Sequence, residues 1–223
     1  YYGTDGGYEF SVAKHHLATW DTAKKDSHSV TMKDVTKELL PERITTIIDE
    51  NYAEALDELC LKLIALNRNY EEIKLDQKVA DEFIINRIEK AKNYLRAMHS
   101  VVASGYVDRN DLYLAAREIL SSIGEAHSAF NSVNIIKNNG IDATFIDLCG
   151  FDDSEALTID ERIHKAFQGV DFSKTLCVAT GYTKGIEGIM RAFDRGYSEV
   201  TFSKIAVDVK ANEAVIHKEF HLS

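Results

Sequence analysis

The sequence predicts an α/β fold: a mainly parallel sheet sandwiched by helices, with a large helical insert. Apolar residues recur at steps of three and four between about residues 42 and 138, which is the period of an amphipathic helix. After Gly140 short apolar runs alternate with helical segments. Strand, helix, strand, helix, strand is the order typical of a parallel sheet with helices on its faces.

The polar, irregular stretch 1–41 is interpreted as loop with one short helix around 11–20. The insert then follows, and its stripes predict helices that end near Gly105, begin again after a cap at Asp108 or Asn110, and run over 109–121 and 124–138. One-sided stripes without a linker predict a substrate-side lobe rather than a separate domain. The first two stripes are Ile44, Ile47, Ile48, Ala55, Leu56, Leu59, Leu63 and Leu66, then Ala80, Phe83, Ile84, Ile88, Ala91, Leu95, Met98 and Val102.

The sheet is predicted from three apolar runs. Thr158 is a plausible cap for the helix "TIDERIHKAFQG" between the first two runs. The predicted strands are 142–148, 175–181 and 213–219, and a second helix is predicted over 198–211.

Charge and composition exclude several classes of protein. Lys and Arg number 26 against 36 Asp and Glu, a net charge of −10, which disfavours general binding to nucleic acid or to an anionic membrane. No apolar run is long enough to span a bilayer, and no signal peptide opens the chain. Three cysteines without short spacing indicate buried free thiols in a reducing compartment. A cytoplasmic protein is expected.

The candidate site lies where the predicted strands end, because open α/β sheets bind ligands beyond the carboxyl ends of their strands. The segments there are "TGYTKG" (180–185), "DRGYSE" (194–199) and "HKEFHLS" (217–223). Gly196 allows a close backbone approach before a helix, and Arg195 offers a forked donor for a carboxylate or phosphate. Taken alone, this turn favours an ordinary solvated loop.

Together these segments resemble the catalytic domain of aspartate kinases, in the amino acid kinase family. Residues 179–223 are similar to the family's Gly-Phe turn, Gly-Arg-Gly-Gly-Ser-Asp motif, helix and Trp-Thr-Asp strand end. The run "SSIGEAHSAFNSVNIIKNNGIDATFID" (121–147) is similar to its Ser-x-Gly-Glu helix. "GEAHSAFNSV", "FDRGYSE" and "IHKEFHLS" resemble most the branch associated with ectoine biosynthesis. The resemblance covers roughly 75–223.

The resemblance implies a role for each matching substrate residue. Glu125 would hold the amino group of the substrate, and Gly181 and Tyr182 would line the aspartate pocket. Arg195 would clamp a substrate carboxylate, with Ser198 beside it.

The remaining matches support the pocket or belong to the nucleotide site. Gly196 stands in the arginine motif, and Glu199 replaces the aspartate that usually closes it. The family's Thr-Asp pair at the nucleotide site becomes Lys218 and Glu219, where a lysine could reach phosphate.

The chain departs from the family at both ends. The family opens with Lys-x-Gly-Gly-Thr/Ser on its first strand, but no lysine precedes Gly6 and Gly7, so the catalytic residues are left unassigned. The Asp-Pro stretch and the C-terminal ACT modules do not follow Ser223. We expect residues 1–223 to be one incomplete catalytic domain of a longer protein, with weak or absent nucleotide binding.

Plainer interpretations stand beside these roles. By residue type alone, Glu125 is a capping or surface glutamate, Tyr182 is equally a core residue, and Lys218 is a solvated strand end. The histidines lack metal-ligand spacing, so no metal site is predicted from them, and Cys149 and Cys177 are expected in the core. The histidines in question are His127, His217 and His221.

The resemblance implies an ATP-dependent aspartate kinase with Mg²⁺. It would transfer the γ-phosphoryl group to the side-chain carboxylate of L-aspartate and give 4-phospho-L-aspartate. The expected partners are L-aspartate and ATP, without nucleic acid or membrane, in a homodimer. A non-catalytic amino-acid sensor is the main alternative, supported by the missing lysine motif. A kinase for another small acid, such as acetylglutamate, is disfavoured by the insert.

Overall fold

The structure, a computed structural model, describes residues 52–193 and 196–216. The predicted loop at 1–41, Arg195, Lys218 and Glu219 lie outside these ranges, as do His217 and His221. Within them the chain is rich in helix and carries a small parallel sheet. The expected one-domain organisation of residues 1–223 stays a prediction.

Two helices open the described chain. Helix α1 spans Tyr52–Asn67, a short 3₁₀ turn follows at Arg68–Tyr70, and helix α2 spans Gln77–Ala103. The Asp76 side chain accepts a hydrogen bond from the Val79 amide and so caps α2. Helix α2 ends before Gly105, as predicted. Its predicted stripe is confirmed by the buried residues Ala80, Ile84, Ile88, Ala91 and Leu95.

Helix α3, Arg109–Asn138, is one continuous helix, so the prediction of two helices at 109–121 and 124–138 was wrong. A glycine inside a helix costs only about 1 kcal/mol relative to alanine. Gly124 is buried with its neighbours on both sides, and their packing outweighs that cost. Asp108 caps the helix, as predicted, by accepting the Asn110 amide at 2.7 Å.

The described sheet has two parallel strands. Strand β1 is Ala143–Ile146 and strand β2 is Leu176–Ala179, with Ala143 opposite Leu176 and Ile146 opposite Ala179. Helix α3 contacts both strands. The third strand predicted over 213–219 is not formed at 213–216, and its remainder lies outside the described residues.

Three helices connect and follow the strands. Helix α4, Ile159–Phe167, separates β1 from β2, and Thr158 caps it in a capping box with Glu161, as predicted. The short helix α5, Ile189–Ala192, and helix α6, Tyr197–Asp208, come after β2. Helix α6 begins one residue before and ends three residues before the predicted limits.

The core lies where α1, α2 and α3 meet and continues under the loops that follow both strands. Phe83 of α2 stacks on Phe130 of α3 with ring centroids 4.0 Å apart, and Phe145 of β1 meets both rings edge-on. These contacts seat α3 on the sheet. Across 52–193 and 196–216 no helix combines the length and apolar character that crossing a membrane requires.

A buried polar network joins α1 to α3. The Asn67 Oδ1 atom accepts a hydrogen bond from Asn131 Nδ2 at 2.8 Å and lies 2.8 Å from His127 Nε2. Asn67 also donates to Asp81 of α2 at 2.8 Å. Burial disfavours the imidazolium and lowers the pKa of His127 to about 3, although the charge of Asp81 opposes the shift. His127 is therefore a neutral core residue, in line with the core or surface position expected for it.

Candidate active site

Glu125 lies near the middle of α3 and is only 4% exposed, so it is neither a surface nor a capping residue. Its Oε2 atom accepts a hydrogen bond from the Gly181 amide at 3.2 Å. Its Oε1 atom accepts from the hydroxyls of Ser198 at 3.3 Å and Tyr197 at 3.5 Å. The structure thus brings Glu125, Gly181 and Ser198 together from three separate segments.

The turn after β2 is held firmly against its surroundings. The Thr180 amide donates to the Ile146 carbonyl at 3.1 Å, and the Thr180 hydroxyl accepts the Leu148 amide at 3.1 Å. The buried hydroxyls of Thr183 and Thr201 lie 3.1 Å apart and join the turn to α6. The backbone at residue 181 is therefore placed by both strands and by α6.

Gly181 lies so close to Glu125 that a side chain at position 181 would force the carboxylate to move. A Cβ atom at position 181 would lie 2.7 Å from Oε2 of Glu125 and 3.0 Å from its Cδ atom. The glycine of the predicted Gly-Tyr turn thus leaves room for the Glu125 carboxylate in its present position.

Tyr182 is buried and points its hydroxyl at a second glutamate. The hydroxyl donates to Oε2 of Glu118 at 2.7 Å. The Tyr182 ring also meets the Tyr197 ring edge-on, with centroids 6.4 Å apart. Tyr182 is therefore a core residue that also lies next to Tyr197, a partner of Glu125. Its predicted role in lining the aspartate pocket remains a prediction.

Glu118 was missed by the sequence analysis. It lies on α3 seven residues before Glu125, and about two helical turns separate the residues, so both carboxylates share one face. Burial raises the pKa of the Glu118 carboxyl, even though the hydrogen bonds from Tyr182 and from two backbone amides oppose the shift. The spacing of two glutamates on one helix was the signal available in the sequence.

Gly196, the glycine of the arginine motif, immediately precedes α6. Gly196 has φ +81°, in the left-handed region that favours glycine, and Tyr197 is the first residue of the helix. Glu199 lies in the first turn, where its negative charge complements the helix dipole. The predicted roles of Gly196, Ser198 and Glu199 remain predictions, as does that of Arg195.

A network of ionic and backbone hydrogen bonds joins the loop after β1 to the turn after β2. The Arg162 guanidinium donates to Asp153 at 2.6 Å and to the Lys184 carbonyl at 2.6 Å. The Lys184 ammonium donates to the carbonyls of Gly150 at 3.0 Å and Asp153 at 2.7 Å. Hydrogen bonding from Arg162 lowers the pKa of the Asp153 carboxyl. This network supports the turn that carries Gly181 and Tyr182.

A cleft of about 1210 Å³ opens beside Tyr182, beyond the carboxyl ends of β1 and β2. Its walls come from α2, α3 and the two loops, and Tyr94 and Phe151 supply part of its apolar surface. This is the position at which open α/β sheets bind ligands. The charged residues around it are Lys90, Asp111, Glu118, Asp152, Asp153, Lys184, Glu187 and Arg191.

Binding of a metal ion by side chains would require several ligands close together in the part of the chain that the structure describes. No cluster there of three or more His, Cys, Asp or Glu side chains could hold a metal ion. All three cysteines are free thiols, and Cys60 and Cys149 are buried, as expected. The core position predicted for Cys177 was wrong: it is only half-buried, on strand β2, which pairs only with β1 within the described residues. The predicted nucleotide residues Lys218 and Glu219 lie outside the described residues, and their roles toward ATP and Mg²⁺ remain predictions.

Comparison with known proteins confirms the resemblance to aspartate kinases. The chain is 42% identical over 172 residues to the aspartate kinase Ask_Ect of Stutzerimonas stutzeri (strain A1501). The match covers 77% of this chain and 36% of that protein, so the chain spans about a third of its relative's length. No protein-family model matches the chain, and no solved structure matches it.

Proposed function

We propose that this chain forms the amino-acid-binding part of an aspartate kinase that phosphorylates the side-chain carboxylate of L-aspartate. The identity to an aspartate kinase, 42% over 172 residues, supports the reaction class. The relative's name and the segments "GEAHSAFNSV" and "FDRGYSE" favour the ectoine-associated branch. A cytoplasmic homodimer belongs to the same proposal.

The buried carboxylate of Glu125 is the observation that carries the proposal. Burial of a carboxylate costs several kcal/mol unless donors compensate it, so a buried acid calls for a function. Donors from Gly181, Tyr197 and Ser198 compensate Glu125 here. In its ionised form, a carboxylate held in this way would complement the ammonium group of an amino acid.

The charge of Glu125 also orients the substrate. L-Aspartate carries one ammonium group and two carboxylates at neutral pH, and a fixed acid attracts the first and repels the others. The amino group would therefore lie at Glu125, with the side-chain carboxylate directed away from it. Arg195 is the proposed partner of the substrate's second carboxylate.

The acceptor needs no side-chain base, because an aspartate carboxyl with a pKa near 3.9 is already ionised at neutral pH. The residues of this chain would therefore act by positioning the acceptor and excluding water. ATP and Mg²⁺ enter the proposal through the resemblance alone, with Lys218 and Glu219 as the proposed nucleotide residues.

Coupled measurement of ADP release by the full-length protein tests the proposal. We expect release to depend on L-aspartate and Mg-ATP, and Glu125→Gln to raise the KM for aspartate about a hundredfold, close to 2.7 kcal/mol. The KM for ATP should change less than threefold. Glu161→Gln, which alters a carboxylate of the α4 capping box, is the matched control and should leave both constants unchanged.

Succinate makes the test specific for the amino group. It keeps both carboxylates of aspartate and lacks the ammonium, so Glu125→Gln should reduce the preference for aspartate over succinate. An unchanged preference would contradict the role of Glu125. Calorimetric binding of aspartate without any ADP release would instead support the sensor, and absence of both would overturn the proposed function.

A further inference from the structure

Glu118 makes three hydrogen bonds to the segment that follows β2. Its Oε2 atom accepts the Tyr182 hydroxyl at 2.7 Å. Its Oε1 atom accepts the amides of Met190 at 2.9 Å and Arg191 at 3.2 Å. One side chain of α3 therefore binds the turn after β2 and the first turn of α5 at the same time.

The backbone around α5 is shaped to admit this carboxylate. Gly188, which precedes α5, has φ +71°, a conformation that favours glycine. A Cβ atom at position 188 would lie 3.0 Å from Oε1 of Glu118. The close approach of Glu118 to this glycine parallels the approach of Glu125 to Gly181.

The two glutamates bind the same stretch of chain at different points. Glu125 contacts Gly181 and Ser198, and Glu118 contacts Tyr182 and the backbone at 190–191. The Tyr182 ring then meets the Tyr197 ring, whose hydroxyl donates to Glu125. A continuous path of contacts thus leads from Glu118 to the Glu125 carboxylate through two tyrosines.

We propose that Glu118 is a positioning residue for amino-acid recognition: it fixes Tyr182 and the 188–191 turn and thereby sets the geometry around the Glu125 carboxylate. This inference rests on the proposed function for the identity of the amino acid. Glu118 lines the cleft beside Tyr182, and the role proposed for it is exerted through its hydrogen bonds to Tyr182 and to the 188–191 turn. Its loss should therefore weaken aspartate use and leave the ATP constants almost unchanged.

Two substitutions separate positioning from charge. Glu118→Ala removes all three hydrogen bonds and should raise the KM for aspartate tenfold or more, with kcat and the KM for ATP within threefold of the wild type. Glu118→Gln keeps an acceptor for the amides of Met190 and Arg191 and a hydrogen-bonding partner for Tyr182. It should therefore bring the KM for aspartate back to within about threefold of the wild-type value.

A double mutant tests the path through the tyrosine. Residues in direct contact give non-additive effects, whereas independent sites give additive ones. We expect the KM change of the Glu118→Ala, Tyr182→Phe double variant to be at least threefold smaller than the product of the two single changes. If the KM change of the double variant equals the product of the two single changes, Glu118 and Tyr182 act separately, which overturns the inference.

Hydrogen exchange of the full-length protein supplies a readout that needs no activity. In Glu118→Ala the amides of Met190 and Arg191 should exchange at least tenfold faster than in the wild type. The Val79 amide, which donates to Asp76 at 3.2 Å in the first turn of α2, is the internal control and should keep its rate. Unchanged exchange at 190–191 would overturn the positioning role.

The outcomes distinguish this inference from the proposed function. Faster exchange with an unchanged KM for aspartate would make Glu118 a purely structural residue and overturn the inference, while aspartate phosphorylation stands. Wild-type protein without aspartate-dependent ADP release would overturn the proposed function, and the calorimetric Kd for aspartate then replaces KM. An unchanged Kd in Glu118→Ala, or no aspartate binding by the wild type, would overturn the inference as well.

Discussion

Gly181→Ala tests whether the Glu125 carboxylate is placed by contact with the turn after β2. The added Cβ atom would lie 2.7 Å from Oε2 of Glu125 and 3.0 Å from Oε1. The φ angle of Gly181 lies outside the left-handed region, so alanine introduces no backbone strain there. The substitution therefore changes the space available to the carboxylate and nothing else in the local backbone.

The structure sets the size of the effect. The carboxylate must retreat by roughly 0.7 Å to restore ordinary van der Waals contact near 3.4 Å. Its hydrogen bonds to Ser198 at 3.3 Å and Tyr197 at 3.5 Å are already long, so a retreat weakens at least one bond. Overpacking of this kind costs about 1–3 kcal/mol. That cost is a loss of folding stability. The rise in the KM for aspartate comes instead from the weakened contact between the displaced carboxylate and the substrate ammonium, and the loss of such a charged hydrogen bond, about 1.5–3 kcal/mol, corresponds to a roughly 12- to 140-fold rise.

Steady-state kinetics and urea denaturation of the same variants provide the assay. Gly181→Ala should raise the KM for aspartate, lower the free energy of unfolding by about 1–3 kcal/mol and leave the KM for ATP nearly unchanged. Glu125→Asp is the matched partner, because it shortens the side chain by one methylene and withdraws the carboxylate from position 181. In that background Gly181→Ala should cost at least about 1 kcal/mol less stability than in the wild type.

Two results would refute this reasoning. Wild-type stability and KM in Gly181→Ala would show that the carboxylate accommodates a methyl group without loss. Additive stability changes in the double variant would show that the cost of alanine arises away from Glu125.

Two further predictions concern the core and the arginine motif. His127 has a folded pKa of about 3 against an ordinary value of 6.5, so the unfolded chain binds more protons between these values and stability falls as the pH drops through that range. The loss of unfolding free energy should approach ~1.4 kcal/mol per pH unit and total about 5 kcal/mol at most. Urea titrations between pH 7 and pH 4 should therefore show that the free energy of unfolding depends less steeply on pH in His127→Gln than in the wild type. An equal slope in the two proteins would contradict this prediction. Arg195→Ala should raise the KM for aspartate about a hundredfold or more in the full-length protein, from a loss of roughly 2–5 kcal/mol, with little effect on ATP. Arg195→Lys should recover little, because an ammonium cannot form the forked pair of bonds, and unchanged kinetics in Arg195→Ala would end the assignment.

Local signals in the sequence were sufficient for most helix limits. Asp108 and Thr158 cap their helices as predicted, because a capping side chain acts on amides only two or three residues away. The apolar stripe of α2 was also sufficient to predict which face of that helix is buried, because one-sided periodicity indicates the buried face directly. These features depend on neighbouring residues alone.

Features that depend on tertiary contacts were not predictable in this way. The sequence placed a break near Gly124, but burial of the surrounding helix overrides the low helix propensity of glycine. Motif resemblance pointed to Glu125, whereas the signal for Glu118 in the sequence was only its seven-residue spacing from Glu125 on one helix. Its contacts with Tyr182 and the 188–191 turn depend on the tertiary structure. A single sequence carries little information about which distant amides a glutamate will meet.

Because α3 is one continuous helix, it fixes the distance between the two glutamates. Seven residues of uninterrupted helix hold Glu118 and Glu125 about 10.5 Å apart along the axis and on nearly the same face. A break at Gly124 would have left that spacing to a flexible joint between two short helices. Because this spacing is rigid, the groups that bind Glu118 must lie at a fixed distance from the groups that bind Glu125. A substitution that bends α3 between them should therefore disturb aspartate recognition more than its effect on stability alone would suggest.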